Sequence, residues 1–78
     1  MPTILKIGNM RFFFNSREET RRHVHVSTPD GMAKFWLEPL VSLASFHGLT
    51  EKTLHEMENI VKENADAFVI QWNKHFGL

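Results

Sequence analysis

The chain contains no cysteine, which removes disulfides, thiolate metal sites and cysteine nucleophiles from consideration. No charge of one sign dominates, because nine Lys and Arg face nine Asp and Glu. Bulk attraction to nucleic acid or to an anionic membrane is therefore not how it binds. No apolar run approaches the roughly 18 residues of a spanning helix, and residues 1–10 lack the apolar stretch and cleavage site of a secretory signal. A cytoplasmic protein with no membrane contact is expected. No repeat, linker or low-complexity tract divides the 78 residues, and a chain near this size buries only about 60–65% of its unfolded surface. One domain over 1–78 is expected, β-rich over 1–45 and helical over 50–76. Nucleophile elbow, phosphate loop and metalloprotease helix signatures are also missing, and Ser16, Ser27, Ser42 and Ser45 stand in no catalytic context.

What is present suits a compact globule. Apolar residues make up 42% of the chain, with seven Phe and two Trp. Five histidines are many for this length, and with an ordinary imidazole pKa near 6.5 they would carry the net charge toward positive values in mild acid.

Strand signals precede a helix signal, an order that predicts α+β with an antiparallel sheet of four or five strands. Gly8-Asn9 between Thr3–Ile7 and Met10–Asn15 suits a type II′ hairpin turn. That register pairs Ile7 with Met10, Leu5 with Phe12 and Ile4 with Phe13. It places Leu5, Ile7, Met10, Phe12 and Phe14 on a core face and Ile4, Lys6, Arg11 and Phe13 on the other. Residues 16–22, SREETRR, read as a charged, solvated loop. Thr28-Pro29-Asp30-Gly31 marks a second hairpin between His23–Thr28 and Met32–Leu37. A three-residue loop pairs Val26 with Lys34 and Val24 with Trp36, and a four-residue loop shifts this by one. Beyond Pro39, Leu40–Ala44 is read as a fifth strand, with a short helix as the alternative.

Thr50 is suited to cap a helix, Leu49 and Leu54 to staple its start, and Gly77 to end it. Leu54, Met57, Val61, Ala65, Phe68, Trp72 and Phe76 fall on one stripe, and Trp36 is expected to close the same core. A single helix would run roughly 38 Å, longer than a small sheet needs, so Asn64 is a candidate kink or second cap. Ile70 lies off the stripe, which fits either such a break or an interface.

His23-Val24-His25 is the most specific chemical feature, since alternate residues of a strand share a face. Two such imidazoles could serve a metal together with His47, Glu38 or Asp30, move a proton, or simply be strand residues hydrogen-bonded to backbone. No cofactor is expected. The cations Lys6, Arg11, Arg17, Arg21 and Arg22 cluster in the N-terminal half beside Phe12-Phe13-Phe14, a combination that could meet nucleic acid by stacking and charge. Two of those phenylalanines must nevertheless face the core.

Met1 to Leu5, Arg11 to Phe14, His23 to Val26 and Ala33 to Pro39 (MPTIL, RFFF, HVHV and AKFWLEP) together resemble a family of small bacterial proteins catalogued only as a domain of unknown function. The resemblance runs over essentially the whole chain, through Gly48-Leu49-Thr50 and the Trp72 to Phe76 end. It implies a compact α+β domain of bacterial or phage origin, often one half of a two-gene cassette in the manner of toxin–antitoxin modules. Members commonly carry proline before the His-x-His, where this chain has Arg21-Arg22.

Small size, balanced charge, the lack of a catalytic constellation and this resemblance point to a non-enzymatic module that binds a protein partner, as a monomer or small homo-oligomer. Its expected contact residues are Lys6, Arg11, Arg17, Arg21, Arg22, His23 and His25. One alternative is a small ribonuclease-like toxin, with His23 or His25 moving the proton and Arg11 or Arg22 holding the phosphate. Another is an inhibitor of a nucleic-acid-guided defence complex acting through Glu56, Glu58, Glu63 and Asp66.

Overall fold

A computed structural model describes residues 3–15 and 20–78. Five strands, β1 (Thr3–Ile7), β2 (Met10–Phe13), β3 (His23–Ser27), β4 (Met32–Trp36) and β5 (Ser42–His47), precede one helix, α1 (Glu51–Phe76). The strands form one sheet in the order β1-β2-β3-β4-β5, and every pairing is antiparallel. The architecture is α+β, as the order of patterns predicts.

The first hairpin turns through Gly8 at φ +58°, while among the described residues none other than glycine has positive φ. That combination suits a type II′ turn rather than I′. Ile7 pairs with Met10 and Leu5 with Phe12 as expected, but an irregularity then brings Thr3, not Ile4, opposite Phe13. The second hairpin takes the four-residue loop. Ser27 pairs with Met32 and Val24 with Phe35. The Thr28 N–H donates to the Gly31 carbonyl at 2.9 Å, and the Thr28 Oγ1 accepts from the Asp30 and Gly31 amides. This side-chain turn outcompetes the tighter loop. The fifth strand begins two residues later than the alternation suggests, since Leu40 and Val41 belong to the connection after the cis Glu38–Pro39 peptide. Its pairing with β4 shifts between Lys34 and Phe35, so Ala44 is an extra residue in the strand.

The helix does not break. It runs unbroken from a Thr50 cap, whose hydroxyl accepts from the Thr53 amide, to Gly77 in the left-handed conformation. Asn64 donates its side-chain amide to the Ile60 carbonyl one turn back at 2.8 Å, and so is absorbed into the helix rather than capping a new one. Met57, Val61, Phe68 and Trp72 of the expected stripe are buried against Phe12, Phe14, Val24, Val26, Ala33, Phe35 and Leu37 of the sheet half. Ile70 remains exposed on the continuous helix. Ile7 also differs from expectation, being 43% exposed beside the turn of an edge strand that only β2 flanks.

Candidate functional site: the open face of the sheet

With α1 covering one side of the sheet, strand alternation assigns the other side. Phe13, His25, Lys34 and Ser45 pair successively across β2 to β5. Arg11, Ser27, Met32 and His47 form the next row, with Lys6 opposite Arg11. His23, Trp36 and Ser42 form the row at the far end, where His23 is covered, its ring lying against Trp72 of α1. The sequences of the five strands contain Lys6, Arg11 and Lys34 but no Asp or Glu. Five carboxylates, Glu51, Glu56, Glu58, Glu63 and Asp66, lie instead on α1. The strands thus carry cations alone, whereas α1 mixes its five acids with Lys52, Lys62 and Lys74.

Arg11 and Lys34, two of the three strand cations, sit on aromatic rings. The Arg11 guanidinium lies 4.4 Å from the centroid of Phe13, and Arg11 also donates to the Thr3 hydroxyl at 3.3 Å. Trp36 is flanked by Arg21 at 4.2 Å and Lys34 at 4.5 Å. Such contacts hold a cation in place over the ring face. Phe13 is only 4% exposed, stacked on His25 with ring centroids 5.4 Å apart. Phe12 and Phe14 are fully buried in the core, so none of the three phenylalanines offers a bare platform for a base. Trp36 differs from the sequence expectation, because it sits on the open face rather than in the helix-side core.

The two histidines of the His-x-His share a face but not an environment. His23 is completely buried, its ring 4.9 Å from Trp72 and 5.6 Å from Trp36. Its Nδ1 donates to the Arg21 carbonyl at 2.7 Å, and since a carbonyl only accepts, Nδ1 carries the proton. His25 is half-buried and receives the Asn15 amide at Nε2, 3.3 Å away. The two rings meet edge to face at 5.2 Å. Across the sheet, His25 and His47 line a shallow depression of about 230 Å³ together with Met32, Lys34 and Ser45. His23 lies in the far row instead. Among the described residues no three His, Asp or Glu side chains are grouped so as to hold a metal ion.

Arg21 and Arg22 are drawn into the fold at the start of β3. Arg22 donates Nη1 to the Glu38 carboxylate at 3.0 and 3.3 Å, and Nε and Nη2 to the Asn73 Oδ1 at 3.0 and 2.9 Å. The Arg21 Nε donates to the Glu38 carbonyl at 3.1 Å. The hydrogen bond from Arg22 holds the Glu38 carboxyl below the usual carboxylate range; desolvation opposes it, and the charges of Arg22 and Arg21 add to the lowering. Sequence reasoning singled out Arg22 but missed Asn73 and the ion pair with Glu38, for which no local pattern exists. Arg17 lies outside the described residues. On the helix, Glu58 pairs with Lys62 at 2.9 Å, while Glu56, Glu63 and Asp66 are exposed.

Residues 9–73 match the family described as a domain of unknown function, DUF4160, and the chain belongs to that family. No curated protein and no solved structure matches it. Among the described residues, no helix is long and apolar enough to cross a membrane.

Proposed function

We propose that this protein is a non-enzymatic binding module that docks an acidic partner protein on the open face of its sheet, as one half of a toxin–antitoxin-like or phage–host conflict pair in the bacterial cytoplasm. The observation that carries this reading is that the five strands hold three cations and not one carboxylate. Arg11 and Trp36 are of the anchor types that dominate protein interfaces, Lys34 adds charge beside them, and the aromatic rings beneath the cations fix their geometry. Charge on this face would speed encounter with an acidic surface and make it salt-dependent. Burial of all three phenylalanines of the RFFF segment favours a protein over a single-stranded nucleic acid, whose bases need accessible rings.

Co-purification with the product of the adjacent gene tests this. A complex is expected, weakened at least about tenfold by Lys34→Glu or Arg11→Glu, roughly 1.4 kcal/mol, and weakened again by salt. A complex indifferent to both reversals would overturn the assignment to this face. Tight binding of single-stranded RNA with no protein complex would transfer the face to nucleic acid.

A further inference from the structure

We propose that two copies of this chain pair through the free edge of β5, antiparallel and about a two-fold axis, with Leu43 of each set against Phe46 of the other. The inference goes beyond partner binding on the open face and does not depend on it. The sheet has two edges, β1 and β5. Natural edge strands are protected against pairing by charge, proline or cover. Lys6 protects β1 in this way. By contrast Ser42–His47 contains no Lys, Arg, Asp, Glu or Pro, and its apolar side chains are uncovered, Leu43 being 38% and Phe46 51% exposed.

The order of faces along β5 suits self-pairing. Ser42 and His47 pair with Trp36 and Met32 and so lie on the open face. Leu43 and Phe46 pair with Phe35 and Ala33 and so lie on the helix side. The extra residue Ala44 makes this possible, because in a regular strand residues five apart point to opposite faces. Read in either direction the strand runs open face, helix side, two central residues, helix side, open face. An antiparallel copy then sets Ser42 against His47, Leu43 against Phe46, and Ala44 against Ser45, each outer pair on a common side. With no charged side chain in β5, the two-fold brings no like charges opposite each other, as an isologous interface requires. One strand edge is small beside the roughly 800 Å² per partner of a standard interface, so the dimer is concentration-dependent. The axis stands perpendicular to the sheet and leaves both cationic faces on the same side of one continuous sheet.

Sedimentation of the purified full-length chain, alone, from micromolar to near-millimolar concentration tests the proposal. The expected mass rises from 9.1 kDa toward twice that value. Phe46→Lys and Leu43→Lys should hold the chain monomeric at every concentration, and Ile70→Lys, an exposed apolar position on the helix, should leave the dimer unchanged. Because the chain has no cysteine, a Ser42→Cys/His47→Cys double variant should cross-link into a dimer on mild oxidation. Ser42→Cys alone should not, since the two copies of position 42 would stand about 17 Å apart. Should the lysine variants fail to fold, the cysteine pair decides the matter alone. A wild-type chain monomeric throughout, a dimer that survives Phe46→Lys, or equal cross-linking by the single cysteine would overturn the pairing. A monomer that still binds an acidic partner would overturn the pairing alone and leave the open-face reading intact.

Discussion

Arg22 and Asn73 are 51 residues apart in sequence, yet two guidinium nitrogens of Arg22 converge on the Asn73 Oδ1 at 3.0 and 2.9 Å. The remaining nitrogen, Nη1, grips Glu38. One side chain thereby ties the start of β3, the exit from β4 and the last turns of α1 into a single corner.

Arg22→Ala should therefore cost about 1–3 kcal/mol, the range for hydrogen bonds to a charged group that is only partly exposed. Arg22→Lys should recover little of it, because a single ammonium cannot reach both partners in the fork geometry of a guanidinium. Urea unfolding of both variants and of Asn73→Ala, combined as a double-mutant cycle, would measure the coupling. A cycle that closes with no interaction energy would show the corner to be incidental.

Glu38 sets a pH dependence. Its carboxyl is held below its ordinary range by the hydrogen bond from Arg22. A group whose pKa is lowered on folding stabilises the fold at pH values above its unfolded pKa, and that contribution disappears as pH falls through the folded value. The stability difference between the wild type and Glu38→Gln should hence be constant near neutrality and shrink below about pH 4.3. Urea midpoints at a series of pH values would reveal it, and a difference that is flat down to strong acid would contradict the assignment.

The turn at Gly31 presses against the junction between β5 and α1. A Cβ at Gly31 would collide with the His47 carbonyl oxygen and come within 2.9 Å of the Gly48 Cα. Gly48 has φ +73°, and a Cβ there would strike the Asp30 carbonyl. Gly31→Ala and Gly48→Ala should each destabilise by at least about 2 kcal/mol, whereas Gly8→Ala, with open space around it, should cost only about 1–2 kcal/mol for its positive φ. Thermal melts of the three variants rank these effects, and equal losses would contradict the close approach.

His23 and His25 should separate fold from function. His23→Ala empties a site buried between Trp36 and Trp72 and should cost about 3 kcal/mol, like other large-to-small core changes. His25→Ala removes a half-buried ring stacked on Phe13 and should cost about 1 kcal/mol. Any loss of partner binding in His25→Ala at a temperature where the variant is fully folded then reports on the open face itself.

The element types were legible locally. The Gly8-Asn9 turn, the Thr28 to Gly31 turn, the Thr50 cap and the 3.6-residue stripe through Met57, Val61, Phe68 and Trp72 each depend on neighbours within a few residues. The His-x-His spacing likewise announced that both rings share a face. Where two local solutions were close in energy, tertiary context chose. The hydroxyl of Thr28 selected the longer loop, and Asn64 joined the helix because the stripe continues along the sheet on both sides of it. Trp36 could not be placed from sequence, since its face depends on that one-residue choice of register.

What the sequence determined alone was the order of strands and helix, because turn chemistry and side-chain periodicity act over short stretches of chain. Only the folded molecule decided which cations meet partners from distant parts of the chain. Arg22, indistinguishable from Arg21 as a letter in a basic loop, meets a carboxylate and an amide that arrive from 16 and 51 residues away. Arg11 and Lys34 instead find aromatic rings two residues along their own strands. The difference arises because the partners of Arg22 are brought together only by closing long loops, whereas a ring two positions away on the same strand is a local neighbour.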